Sequence, residues 1–206
     1  MLEEKKSIIR LSRYKSVLQR FKNMGLVKVF SDNLGDAIGV VASQVRKDFA
    51  SFGISGSKKG GYQIDDLLRR INQILGKDEV QEIILVGVGH IGKALIEYKR
   101  FELEKMKIVA AFDIDFEKVD SKSEIPVFPL EKLEEFVKKN NIKIGILAIP
   151  EIAVHEVAKI MFSASIKGIL NFAPVRITYP EGCFVRNVNL VLELEHIIYH
   201  VNSLKN

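Results

Sequence analysis

One run constrains this chain more than any other: Ile83-Ile-Leu-Val-Gly87-Val88-Gly89-His90-Ile91-Gly92-Lys-Ala-Leu. Apolar residues lead into three glycines spaced GxGxxG, and a helix-forming segment follows. That order predicts a strand, a tight turn and a helix, the context in which such glycines hold a phosphate. Gly87 permits the turn. Gly89 lets the backbone approach a pyrophosphate with no Cβ between them, and Gly92 lets the helix pack closely on the strand. Backbone N–H groups at the helix start, over Val88, His90 and Ile91, then face the phosphates. The next strand, 107–113, ends in Asp113, 21 residues after Gly92. A carboxylate there accepts hydrogen bonds from the adenosine ribose and repels a 2′-phosphate, which favours NAD over NADP. Asp115 is close enough to take that role instead. A Rossmann-like fold that holds another nucleotide, coenzyme A or nothing would share the pattern.

From residue 79 onward the chain alternates between short apolar runs and amphipathic segments. Strands are expected at 82–86, 107–113, 126–128, 143–149, 168–171 and 183–187, with helices at 91–101, 130–140 and 151–164. Such alternation implies a parallel sheet covered on both faces, so the fold class is α/β. The tail, 189–206, carries Leu190, Leu194, Ile197, Ile198 and Val201 on one stripe, and a helix this apolar needs a partner surface.

Residues 1–77 have a different character. They hold 15 Lys+Arg against 7 Asp+Glu, a net +8, whereas 78–206 hold 16 against 19, a net −3. A basic block beside an acidic one suggests that the first part meets a polyanion. The periodicity predicts helices at 10–24, from Ser31 as N-cap with Leu34, Ala37 and Ile38 inward, at 42–52, and at 64–75. Gly39 breaks the second from the third. Val45, Phe49 and Phe52 face inward on the third, leaving Gln44, Arg46, Lys47 and Ser51 outside. This is a helix-turn-helix plan. The glycine-rich stretch 53–62, with Lys58 and Lys59, reads as a β-hairpin wing. The chain therefore divides into a winged helix-turn-helix domain (1–77), a Rossmann-like parallel-sheet domain (78–188) and a terminal helix (189–206).

Several chemistries find no support. No apolar run approaches the ~18 residues of a membrane span. The opening MLEEKKSIIR has no apolar core behind its charges, so no secretory signal is expected. A single cysteine, Cys183, forms no internal disulfide and is expected as a structural thiol in a reducing cytoplasm. His155, His196 and His200 lack partners at metal spacing, so no metal site is expected. No catalytic pair stands beside the dinucleotide turn, and little chain remains for a substrate domain. A dinucleotide site without chemistry points to a sensor and not an enzyme.

The order of winged helix, Rossmann domain and apolar tail resembles the Rex redox-sensing repressors along nearly the whole chain. The resemblance rests on Ala42-Ser-Gln-Val-Arg-Lys-Asp-Phe49 with Phe52-Gly53, on the glycine turn, on Val109-Ala-Ala-Phe-Asp113, on Gly168-Ile-Leu-Asn-Phe-Ala-Pro-Val175, and on Val185-Arg-Asn-Val188. It implies a homodimer on a palindromic DNA operator, with the C-terminal helix swapped into the partner. NADH would release the DNA and NAD+ would be compatible with binding. Carried onto this chain, Ser43, Gln44, Arg46 and Lys47 would meet the major groove, Lys58 and Lys59 the minor groove, and Arg10 and Arg13 the phosphates. Tyr98, Pro150 and the Asn171–Phe172 loop would line the nicotinamide end.

The chain departs from the family pattern in places. Ser16 and Asn189 stand where the family has an arginine and an aspartate in its redox-dependent contact between subunits. Val41 replaces a threonine cap, His90 an asparagine, and Ile54, Ser55 and Ser57 the usual wing residues. Two alternatives follow: a constitutive DNA-binding protein whose Rossmann domain only dimerises, and a small NAD-dependent oxidoreductase.

Overall fold

The computed structural model describes residues 2–56, 60–120 and 124–204. Backbone proximity divides the chain into two compact units, Met1–Glu79 and Val80–Asn206.

The first unit is helical. α1 (Leu2–Asn23) buries Leu11, Tyr14 and Leu18 completely, at the i, i+3, i+7 spacing of one helix face. A two-residue strand, β1 (Lys28–Val29), leads to α2 (Ser31–Ile38) and α3 (Ala42–Ser51). β2 (Tyr62–Gln63) precedes α4 (Ile64–Ile74), whose Ile64, Leu67, Leu68 and Ile71 point inward. Each large apolar side chain removed from water here contributes roughly 1.5–3 kcal/mol. The α2–α3 turn depends on two glycines. Gly39 caps α2 at φ +75 with its N–H on the Gly35 carbonyl, and any Cβ on Gly35 would strike the Val40 carbonyl.

Two expectations for this unit need correction. Ser31 is the first helical residue and not the cap; the Asn33 side chain instead accepts from the Phe30 N–H at 3.0 Å. Ala37 is exposed, and Gly35 takes the inward position beside Leu34. The tip of the wing expected over 53–62 lies outside the described residues. β2 pairs antiparallel with β1, Lys28 opposite Gln63 and Val29 opposite Tyr62. Two residues carry no visible period, which is why β1 escapes a sequence reading.

The second unit is a six-stranded parallel sheet of order β5-β4-β3-β6-β7-β8. The strands are β3 (Gln81–Val86), β4 (Met106–Asp113), β5 (Val127–Pro129), β6 (Ile144–Leu147), β7 (Gly168–Asn171) and β8 (Phe184–Asn187). α5 (His90–Ile96) and the short α6 (Arg100–Leu103) stand where one helix over 91–101 was expected. The break is a pair of tight turns, with the Tyr98 N–H on the Leu95 carbonyl and the Phe101 N–H on Tyr98. α7 (Leu133–Lys139) and α8 (Val154–Ser163) each follow a 3-10 turn. After β3 the chain builds outward through β4 and β5, then returns to place β6 on the other side of β3. The strand order therefore reverses between β3 and β6, and beyond the carboxyl ends of those strands a crevice opens in folds of this kind.

α9 (Leu190–Ser203) closes the chain and buries no residue. Asn189 caps it, its side-chain oxygen accepting from the N–H groups of Val191 and Leu192 at 3.1 and 3.2 Å. Leu190, Leu194, Ile197 and Ile198 are each more than half exposed. No helix among the described residues is long and apolar enough to cross a membrane.

Candidate functional site

The crevice at the strand-order reversal holds a cavity of about 390 Å³. Gly87 and Gly89 form one wall after β3, and Ala148, Ile149 and Pro150 form another after β6. Asp113, Ile114, Asp115 and Lys118 close the end beyond β4. The three glycines differ in what requires them. Gly87 has φ +95, and a Cβ on it would strike the Ala148 carbonyl. A Cβ on Gly92 would strike the Gly87 carbonyl. Those two are demanded by the fold itself. Gly89 has φ −77 and ψ −163, which any residue adopts, and its Cβ would meet nothing within 4 Å. The fold gives no reason for a glycine at 89, where a Cβ would point into open space.

Asp113 is only 7% exposed. Its Oδ2 accepts from the Val88 N–H at 2.7 Å and its Oδ1 from the Asp115 N–H at 2.9 Å. The Lys118 Nζ lies 3.3–3.4 Å from both oxygens. Burial alone would raise this carboxyl's pKa, but the two backbone N–H groups and the Lys118 ammonium outweigh it and hold it below its ordinary value. Asp113 is thus an ionised anchor for the glycine turn. The Val88 N–H was expected to face a phosphate, but the carboxylate consumes it. Asp115, the alternative acid, is the more exposed of the two. Its Oδ2 lies 3.3 Å from Lys118, and its Oδ1 accepts from the Glu117 N–H. His90 and Ile91 are both exposed at the start of α5.

Two other expected residues are placed elsewhere. Tyr98 does not line this cavity. It stacks edge-on against Phe101 at 5.1 Å in a separate hollow with Glu97, Met106 and Ile125. Asn171 is 0% exposed. Its amide donates to the carbonyls of Ala173 and Val175 and to the Asn187 side chain, and its oxygen accepts from the Ala173 N–H. It therefore staples the β7 exit loop to β8 and has no access to a ligand. Cys183 is partly buried, its sulfur 3.8 Å from the Ile166 carbonyl.

In the first unit, α3 presents Ser43, Arg46 and Lys47 outward, with Gln44 at the edge of that face. Arg13 is exposed on α1. Lys58 and Lys59 lie outside the described residues. Arg10, expected on a phosphate, has another occupation. Its Nε and Nη2 each lie 2.6 Å from the Asp48 carboxylate, a two-point fork that joins α1 to α3. The Tyr14 hydroxyl donates to the same carboxylate at 2.9 Å and the Gln44 amide at 2.8 Å. Asp48 is 1% exposed. Burial would raise its pKa, but hydrogen bonds from Arg10, Gln44 and Tyr14 hold it below its ordinary value. The Tyr14 hydroxyl is pushed well above the usual phenol range by burial and by Asp48. Sequence reading missed Asp48. The signal was present, because Asp48 lies three residues beyond Val45 and next to Phe49 on the inward face.

Comparison with known proteins fits this two-part architecture. Residues 78–175 match the family described as a CoA binding domain, and residues 5–50 match the family described as a putative DNA-binding protein N-terminus. The chain is 38% identical to a redox-sensing transcriptional repressor Rex of Desulforamulus reducens, over 95% of this chain and 93% of that protein. It is also 38% identical to the Rex of Carboxydothermus hydrogenoformans, over 95% of this chain and 94% of that one. Among solved structures it resembles RSP, a Rex-family repressor, in complex with β-NAD+ and operator DNA. That match has a TM-score of 0.91 at 31% identity and covers 97% of this chain and 93% of the other. The β-NADH complex of RSP matches with a TM-score of 0.86 at 32% identity, covering 97% and 94%.

Proposed function

This chain belongs to the Rex family of redox-sensing transcriptional repressors, and we propose that it acts as one in the cytoplasm, holding operator DNA as a homodimer and releasing it when NADH occupies the β3–β6 crevice. It is a regulator and not an enzyme. The observation that carries the ligand assignment is Gly89, a glycine the fold does not need, facing open space at the mouth of the crevice. A pyrophosphate fits there because its oxygens can approach the backbone without meeting a Cβ. Gly87 and Gly92 hold the turn, Asp113 anchors it, and Pro150 with Ile149 forms the facing wall. Asp115 supplies the exposed carboxylate for the ribose hydroxyls.

DNA affinity comes mostly from phosphate neutralisation by the basic first unit, Arg13 included. α3 fits the major groove, where Ser43, Gln44, Arg46 and Lys47 read bases, and the wing lysines Lys58 and Lys59 suit a narrow minor groove. A two-fold dimer places two such helices about 34–36 Å apart, or a multiple of that. The uncovered stripe of α9 supports exchange of this helix between subunits, since apolar surface of this extent is otherwise left in water.

The test is a calorimetric titration of the full chain with NADH and with NAD+, repeated on Gly89→Val. Binding to the wild type and its loss in the variant are expected. Unchanged binding in the variant counts against the site.

One observation favours the constitutive reading as a second possibility. Both residues that replace the family's charged intersubunit contact are engaged within their own helices. The Ser16 hydroxyl donates to the Ser12 carbonyl at 3.2 Å, and the Asn189 oxygen caps α9. Equal operator affinity with and without saturating NADH would establish that reading.

A further inference from the structure

Gln44 stands at the edge of the DNA-facing side of α3, and its amide is not free to turn. The group beside it is the Asp48 carboxylate, 2.8 Å from its Nε2. Asp48 is ionised, because Arg10 forks both its oxygens at 2.6 Å. An ionised carboxylate only accepts hydrogen bonds. The Gln44 NH2 must therefore face Asp48, and donation through the hydrogen trans to the carbonyl leaves Oε1 facing away. A glutamine without such a neighbour rotates about its last bond and offers either end to a base. Asp48 itself cannot swing aside. It is buried, and Arg10 and Tyr14 on α1 also hold it.

We propose that Asp48 is a positioning residue for sequence reading: it fixes Gln44 with its acceptor oxygen outward, so that this position of the operator must carry an exocyclic amino group. In the major groove adenine and cytosine offer an amino donor, whereas guanine and thymine offer a carbonyl at the corresponding place. The outward oxygen accepts from the first pair and repels the second. The inference rests on the Rex reading, since it requires α3 to lie in a major groove. It goes beyond that reading in naming which base class Gln44 admits and which residue enforces the choice. Arg10 takes a part as well: by neutralising Asp48 it keeps a carboxylate tolerable under the DNA-facing surface.

The test is selection from a duplex library in which each half-site position is randomised, performed on the wild type, Gln44→Ala and Asp48→Asn. Comparing wild type with Gln44→Ala identifies the position that Gln44 reads. There the wild type is expected to favour adenine and cytosine over guanine and thymine by about tenfold, the scale of one base contact. Asp48→Asn places an amide beside Gln44 that can donate as well as accept, so the Gln44 amide can turn over. The amino preference at that position should fall below about threefold, with preference at the other positions and the salt dependence of binding unchanged. A merely structural role for Asp48 would lower affinity evenly and leave the base preference alone. Three results overturn the proposal: a wild-type preference for guanine or thymine at the Gln44 position; retention of the amino preference in Asp48→Asn; or an even loss at every position. Should Asp48→Asn fail to fold, the first criterion still decides through wild type and Gln44→Ala. A wild type with no sequence preference at any position sinks the Rex reading itself, a different failure from the three above.

Discussion

Among the described residues each unit buries one aspartate, and the two are neutralised in different ways. Asp48 depends on a side chain from another helix, the Arg10 fork, with Tyr14 and Gln44 in support. Asp113 depends on backbone N–H groups from its own neighbourhood, with the partly buried Lys118 as an addition. A carboxylate held by backbone survives changes of sequence around it, whereas one held by a remote arginine fails when that arginine goes. Both do comparable work. Asp48 fastens the helix proposed to meet DNA, and Asp113 fastens the turn proposed to meet the dinucleotide.

The sharpest break in that comparison is Arg10→Ala. It strands a buried charge, and the first unit should lose about 3 kcal/mol in urea unfolding. Lys118→Met, the matching change at the other aspartate, should leave the melting temperature nearly unaltered, since the backbone donors remain. An equal loss in both variants would erase the distinction.

The next largest effect separates the glycines. Gly87→Ala and Gly92→Ala force a Cβ into a neighbouring carbonyl, and each should destabilise the second unit by about 1–3 kcal/mol. Gly89→Val should leave thermal stability unchanged and remove NADH binding. Stability loss at 89 would make that glycine structural after all.

Acid should weaken both units. Folding holds both carboxyls below their ordinary value of 3.8, so each contributes stability that is present above that value. That contribution is lost as pH falls through the lower folded-state values. Asp48→Asn should flatten the acid limb of the stability curve for the first unit alone, read by circular dichroism below about pH 4. An unchanged limb would mean that Asp48 is not a source of the acid sensitivity.

The smallest effect concerns the switch. Restoring the family's charges with Ser16→Arg and Asn189→Asp together should widen the ratio of operator affinities without and with NADH by a few-fold, within the ~1–3 kcal/mol typical of such coupling. An unchanged ratio would show that those positions do not carry the coupling in this chain.

Much of this architecture was legible in the residues. The glycine turn announced itself because its spacing has a backbone cause, and the parallel sheet followed from alternating apolar runs. What escaped was polar and buried. Asp48 sits in a basic run and drew no reading of its own, although its register matches Val45 and Phe49. Asn171 enters as a ligand contact only through the family resemblance; its four hydrogen bonds supply a structural reason. The resemblance places Arg10 on a phosphate, and no sequence pattern pairs α1 with α3. β1 had two residues and no period. Tyr98 and the cavity wall after β6 depend on where strands return in the sheet, which local patterning does not encode.

The central claim is that a dinucleotide at the Gly89 crevice and DNA at α3 oppose each other. Operator affinity by fluorescence anisotropy, with and without saturating NADH, tests it most directly. A fall of roughly 5–150-fold in the wild type, absent in Gly89→Val, is the predicted result. Identical affinities in the wild type under both conditions would contradict it.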